Sequence, residues 1–226
     1  MMMHKVFTWA VVALGVAGLG SCTMNSAGGG IASYHAYDRP AKLPEDPSAV
    51  HVKVSLSKQR VYVMEGGEML LAMPVSIGLP GSPTPTGSFR IVSKDRLHRA
   101  KNYGYAHSGK KVKRMSLENK PPGWSFKGTP MPYWCEFKPS YGFHTGWVKH
   151  SPCTYDGCIR MHENLAPKFF RIVSVGTPVN ISYRQPEDEK WARMSLPPDA
   201  GPLPNYPSAM YIGDGYFSHH KELEFD

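Results

Sequence analysis

The sequence predicts a mainly β domain, and three observations carry that expectation. The 226 residues include 22 Gly and 21 Pro, with 12% aromatics; Gly and Pro interrupt helices, while aromatic rings favour pleated surfaces. Val50, Val52, Val54 and Leu56 alternate with His51, Lys53, Ser55 and Ser57, the period-two pattern of a half-buried strand. Two apolar runs, Val61 to Met64 and Met69 to Ile77, flank the pair Gly66-Gly67, which reads as a hairpin turn. With 41% apolar and 19% charged residues, a disordered chain and a multi-pass membrane protein are both excluded.

Taken in order, the chain opens with Met-Met-Met-His-Lys, an apolar run from Val6 to Leu19, and Gly20-Ser21 before Cys22. A charged start, a short apolar stretch and small residues at its end form an export signal; the run is shorter than the ~20 residues needed to span a bilayer. Leu19-Gly20-Ser21-Cys22 resembles the lipobox of bacterial lipoproteins, which implies that residues 1–21 are removed and that Cys22 becomes the lipidated first residue. Thr23 in place of Asp resembles the pattern sorted to the outer membrane in a two-membrane cell. The expected location is the periplasm or cell envelope, with the membrane as a partner through the lipid and nucleic acid excluded as one. Residues 22–49, with Gly28-Gly29-Gly30 and Pro40, Pro44 and Pro47, read as a tether.

The catalytic-size block spans 50–184. After the first three strands, Pro80 to Gly87 is a stiff loop and Ser88 to Ser93 a further strand. Arg90 to Arg114 carries nine basic residues without clear periodicity and is expected to be a solvated basic loop. Met131 to Phe137 and Tyr141 to Val148 read as buried strands or cleft walls. One helix is expected from about Asn164 to Val173, with Asn164 as N-cap and Gly176 soon after its end. Val179 to Tyr183 closes the sheet. Residues 185–226 form a Pro-rich acidic extension of loops or packed chain.

Charge divides along the same lines. Residues 50–184 hold 20 Lys and Arg against 7 Asp and Glu, whereas residues 185–226 hold 3 against 8, within a total net charge of +8. A basic block attracts polyanions or carboxylate-rich substrates. Beyond Cys22 the cysteines are Cys135, Cys153 and Cys158. An odd number in an exported chain leaves one unpaired and suspect as a reactive thiol.

A Cys nucleophile needs a base, donors for the developing oxyanion and a tight turn that presents the thiol. Gly157-Cys158 supplies a thiol, and His144 with Gly146 lies upstream. The chain from about Val50 to Tyr183 resembles the YkuD-type L,D-transpeptidases of bacterial cell-wall synthesis. The resemblance is carried by Leu56 to Val63, Pro74 to Gly78, Thr84 to Phe89, Met131-Pro132-Tyr133-Trp134, His144-Thr145-Gly146, Gly157-Cys158-Ile159-Arg160-Met161 and Gly176 to Val179. It implies a β-sandwich-like catalytic domain with one short helix after the nucleophile. It also implies Cys158 as nucleophile, His144 as base, backbone amides at Gly157 and Cys158 as oxyanion donors, and Arg160 as a site residue. Thr145, Gly146, Tyr133, Trp134 and Asp156 are the corresponding substrate-binding candidates, with the main-chain oxygen near Thr145 orienting the imidazole. The implied chemistry is attack on a tetrapeptide stem of peptidoglycan, release of terminal D-Ala and transfer of the acyl group from a thioester to an amine. Carbapenems act as donor analogues in such enzymes. No metal or organic cofactor is required, and the expected state is a monomer.

One position departs from the family, which has Ser-His-Gly-Cys where this chain has Tyr155-Asp156-Gly157-Cys158. A carboxylate about 6 Å from the thiol, at an effective dielectric of about 20, would oppose the thiolate by roughly 3 kcal/mol, roughly two pKa units. Pairing of Asp156 with Arg160, His150 or His144 is therefore expected. The residues also admit other readings: His144, His150, Cys153, Cys158 and His162 as metal ligands, a Cys135–Cys153 disulfide, hydrolysis in place of transfer, or an inactive peptidoglycan-binding module.

Overall fold

The structure is a computed structural model and describes residues 42–149, 151–193 and 206–219. The signal segment, Cys22, most of the tether and His150 lie outside the described residues.

Strands β1 (Val50–Ser55), β2 (Arg60–Glu65) and β3 (Glu68–Pro74) form an antiparallel run, with the β2–β3 turn at Gly66-Gly67 as expected. They join β4 (Gly87–Arg90) and β12 (Pro178–Ser182) in a five-stranded sheet of order β3-β2-β1-β12-β4, in which β1 and β12 run parallel. The expected strand from Ser88 to Ser93 is divided. Ile91 N donates to Thr177 O and Val92 N to Glu136 O, so the chain leaves the first sheet there and enters the second as β5 (Ser93–Asp95).

The second sheet has the order β11-β10-β9-β5, built from β9 (Trp134–Lys138), β10 (Tyr141–Thr145) and β11 (Ile159–Met161). One apolar core fills the space between the sheets: Val52, Val54, Val61, Val63, Leu71 and Met73 from the first meet Phe143, Ile159 and Met161 from the second. The helix α1 (Ala166–Ile172) seals it with Phe169, whose ring lies 4.7 Å from that of Phe143. Lys94 Nζ donates to the carbonyls of Phe170 and Val173 at 2.7 and 2.6 Å, satisfying acceptors at the end of that helix. The helix begins later than expected: Asn164 Oδ1 is engaged by His162 Nδ1 at 2.5 Å, and Leu165 takes the cap position without a side-chain bond.

Two regions depart from the sequence expectation. The basic stretch after Arg90 folds as a three-stranded sheet of β6 (Arg99–Ser108), β7 (Lys111–Ser116) and β8 (Ser125–Pro130), in the order β7-β6-β8. It is a ribbon paired through its backbone, with few buried side chains, and its sequence shows no alternation for that reason. The tail also folds, as α2 (Glu187–Lys190), α3 (Ser208–Ile212) and α4 (Gly215–His219), which adds helices beyond the single one expected. Residues around α2 cover the outer face of the first sheet. Asp188 accepts from Tyr62 Oη and Ser55 Oγ at 2.8 Å each, and Arg60 Nη1 donates to Trp191 O at 2.7 Å. Packing therefore continues past the boundary expected at Arg184.

Candidate active site

Strand geometry gathers the site. β10 and β11 run parallel with Phe143 opposite Ile159 and His144 opposite Arg160. Side chains alternate across a sheet, so Phe143 and Ile159 enter the core while His144, Cys158 and Arg160 share the opposite face. On β9, Cys135 pairs with Phe143 and joins the core. Its neighbour Trp134 turns to the site, its ring centroid 6.1 Å from that of His144. Gly142 makes room for that indole: a Cβ there would sit 2.7 Å from Trp134 Cη2.

The imidazole is oriented by main chain. His144 Nδ1 lies 2.8 Å from Thr145 O; a carbonyl only accepts, so Nδ1 carries the hydrogen and Nε2 holds the free lone pair. Thr145 is fixed in turn by Pro132 O, which accepts from Thr145 N at 3.0 Å and from Thr145 Oγ1 at 3.1 Å. Burial drives the His144 pKa down to about 3, with the positive charge of Arg160 acting in the same direction and the Thr145 carbonyl opposing it. The imidazole is held neutral across the physiological range.

Cys158 is 5% exposed. Its thiol is pushed up to about 11, first by burial; the Gly142 amide lowers it, the charge of Asp156 raises it and that of Arg160 lowers it. Sγ donates to Ser140 O at 3.6 Å, leaving the imidazole out of this resting contact. Burial thus favours the neutral form of both the thiol and the imidazole.

The turn before Cys158 is tightly determined. Gly157 has φ +70, and a Cβ there would lie 2.7 Å from Pro83 O and 2.8 Å from Tyr141 Cε1; only glycine fits both the left-handed conformation and the space. Gly157 O accepts from Thr84 Oγ1 and Cys158 O from Thr154 Oγ1, both at 2.8 Å. A trans peptide directs its C=O and N–H oppositely. Pinning Gly157 O to the buried Thr84 therefore turns the Cys158 N–H away from Thr84. Thr84 also accepts from Gly78 N at 2.9 Å, which ties the 78–84 loop to the nucleophile turn. Thr84, Thr154, Gly78, Gly142 and Ser140 were not among the sequence candidates. Of these, only Thr84 and Gly78 lay in quoted motifs, and the Thr84 bond to Gly157 O, 73 positions away, leaves no local trace.

The remaining candidates divide. Arg160 lies at the site, its stem passing Gly146, where a Cβ would meet Arg160 Cδ at 2.7 Å, and its Nη1 donates to Cys153 Sγ at 3.8 Å. Gly146 N donates to Met161 O at 2.8 Å. Tyr133 does not wall a cleft: it is fully buried with φ +60, edge-on to Phe170 at 5.5 Å. Asp156 is exposed, and among the described residues no ion pair joins it to Arg160 or His144; the third expected partner, His150, lies outside them. The turn at Gly157 leaves Asp156 in solvent, where water screens it. Cys135, Cys153 and Cys158 are all free thiols, so the Cys135–Cys153 disulfide is not formed. Among the described residues no group of three or more His, Cys, Asp or Glu could hold a metal ion.

The model of the L,D-transpeptidase catalytic domain, YkuD, matches residues 49–181, and the chain belongs to this family. It is 29% identical over 140 residues to L,D-transpeptidase 1 of Mycobacterium tuberculosis, a match covering 56% of this chain and 48% of that protein. The chain thus spans about half the length of the curated relatives it matches. Among solved structures, an L,D-transpeptidase from Stackebrandtia nassauensis is 21% identical with a TM-score of 0.45, covering 65% of this chain and 60% of that one. Mycobacterium tuberculosis L,D-transpeptidase 1 is 25% identical with a TM-score of 0.42, covering 59% and 61% respectively.

Proposed function

We propose that this protein is a cysteine acyltransferase that cross-links peptidoglycan stem peptides, or attaches a protein to them, through a thioester on Cys158. The observation that supports the reading is that Cys158, immediately before β11, falls by strand alternation on the face of β10 that carries His144, whose Nδ1 is committed to Thr145 O. His144 Nε2 takes the Sγ proton as sulfur adds to the carbonyl carbon of the penultimate, L-centred residue. The oxyanion is received by the N–H groups of Cys158 and Gly157. The C–N bond then breaks, the imidazolium returns its proton to the departing D-amino acid, and the acyl group remains as a thioester. An acceptor amine attacks, His144 takes its proton, and the thiol is regenerated. The old amide's acyl group passes to the new amide, so neither ATP, metal nor organic cofactor enters.

Location belongs to the same proposal: removal of residues 1–21 and lipidation of Cys22 would hold the domain, as a monomer, at the cell envelope beside its substrate. Replacing Cys22 by Ser should move the protein from the membrane to the soluble exported fraction.

The function is tested by mass spectrometry of wall digests from a deletion strain complemented with wild type or Cys158→Ala. Loss of stem cross-links, or of a wall-attached protein, in the Cys158→Ala strain is the expected result. Accumulated untrimmed stems would identify a hydrolase, and no covalent change would identify a binding module.

A further inference from the structure

We propose that the β6–β7 hairpin is a docking surface for a carboxylate-bearing wall polymer, beginning at the catalytic cleft and ending at the hairpin tip. This assignment rests on the wall-directed reading above and names a second contact with the same substrate. The exposed cations Lys101, Lys110, Lys111, Lys113, Arg114 and Lys127 lie on this three-stranded sheet. Between Arg99 and Pro130 the acidic residue is Glu118 alone. Among the described residues none of the six makes an ion pair. Their charge is therefore available to a partner.

Four of them lie on β7 and its turn, the outer strand of the order β7-β6-β8: Lys111 and Lys113, opposite Ser108 and Ala106, on one face of the ribbon, and Arg114, opposite Tyr105, on the other. Lysine on an edge strand deters edge-to-edge pairing, but that role is filled by a charge of either sign and does not account for one sign throughout. Two cations rest over rings, Arg114 over Tyr103 at 5.1 Å and Lys113 over Trp124 at 6.0 Å. Tyr103 is 46% exposed. A cation beside a flat ring on each face of the ribbon suits a polymer of sugar rings carrying carboxylates.

Continuity with the site selects the wall polymer over a lipid surface. His98, one residue before β6, stacks on Trp134 with centroids 4.5 Å apart, and Trp134 neighbours His144. The hairpin is thus rooted on the cleft wall. The ten residues of β6, at about 3.3 Å each, give the hairpin a length of up to about 33 Å. The tail holds that root: Arg99 donates to Tyr211 O and Gly213 O at 2.7 and 2.6 Å, and Tyr105 stacks on Tyr211 at 5.0 Å. The tail thus braces the backbone that carries these cations, and a bound polymer meets positive charge on either face of the same outer strand.

The test is cosedimentation of the full chain, in a Cys22→Ser background to remove any acyl anchor, with purified insoluble peptidoglycan. Binding should weaken steeply between low and physiological salt. It should fall at least tenfold for wall whose carboxylates have been amidated. The variant Lys110→Glu, Lys111→Glu, Lys113→Glu, Arg114→Glu should lose binding by at least tenfold while Cys158 still forms a carbapenem adduct at the wild-type rate, which verifies its fold. Undiminished wall binding by this variant overturns the proposal. So does tighter wild-type binding to phosphatidylglycerol vesicles than to wall. Retained wall binding in a protein that forms no adduct would remove the catalytic reading and leave the docking surface standing.

Discussion

The two faces of the β9-β10-β11 sheet carry one buried thiol each, and the difference between them separates packing from chemistry. Cys135, on the core face, is fully buried and pushed up to about 12 by desolvation; Cys158, on the other face, is pushed up to about 11 by the same cause. Burial alone therefore does not distinguish them. What does is the company each keeps. Cys135 lies among Phe137, Phe143 and Ile159, whereas Cys158 has the Gly142 amide, the Arg160 charge and an oriented imidazole on its own face. In the proposed reaction, polar neighbours and not burial single out Cys158.

The largest effect expected from this contrast is at the two residues themselves. Cys158→Ala and His144→Ala should each abolish wall acyl transfer. Cys135→Ala should retain it and instead lose about 1–3 kcal/mol of stability through the core cavity it opens. Thermal melts and turnover assays on the same preparations separate the two losses.

Next in size is Gly157→Ala. A left-handed residue with a side chain costs roughly 1–2 kcal/mol, and here the Cβ also meets Pro83 O and Tyr141. The turn must shift, and a misplacement of about 1 Å costs about 100-fold in rate. Stopped-flow acylation should show a loss of that order.

Thr84→Val probes the peptide planes behind the nucleophile. It leaves Gly157 O and Gly78 N without the Thr84 hydroxyl that bonds both, at about 1–3 kcal/mol for a buried unsatisfied group. It should slow acylation by roughly 10-fold to 100-fold, while Thr84→Ser restores it.

How much of this was legible in the sequence depended on the range of the interaction. β1 was readable from its alternation, and β2 and β3 from continuous apolar runs around Gly66-Gly67, because both of their faces are buried. His144 and Cys158 were readable through the motifs around them. Thr84 was not marked as a site residue, because its importance lies in a bond to a backbone carbonyl 73 positions away. Tyr133 is a cleft candidate only through the motif it shares with Trp134 beside the His site, whereas its ring is fully buried against Phe170. The β6–β8 ribbon was missed because little of it is buried, and buried alternation is what sequence patterning records.

The smallest expected effect is at Asp156. Its charge raises the Cys158 pKa, but from an exposed position. Asp156→Asn should lower the thiol pKa by a few tenths to about one unit. Iodoacetamide labelling at pH 7 should then rise by up to about tenfold, the reverse of what an Asp156–Arg160 pair would give. In wild type the labelling rate should keep climbing up to about pH 11, because the thiolate forms only there; a plateau below pH 7 would mean a preformed thiolate–imidazolium pair.

The contrast between the two thiols is tested most directly by intact-mass analysis and peptide mapping of the protein after carbapenem treatment. One adduct is predicted, carried by Cys158, undiminished in Cys135→Ala and absent in Cys158→Ala and His144→Ala. An adduct on Cys135 or Cys153, or one on Cys158 that forms as fast without His144, would contradict the account.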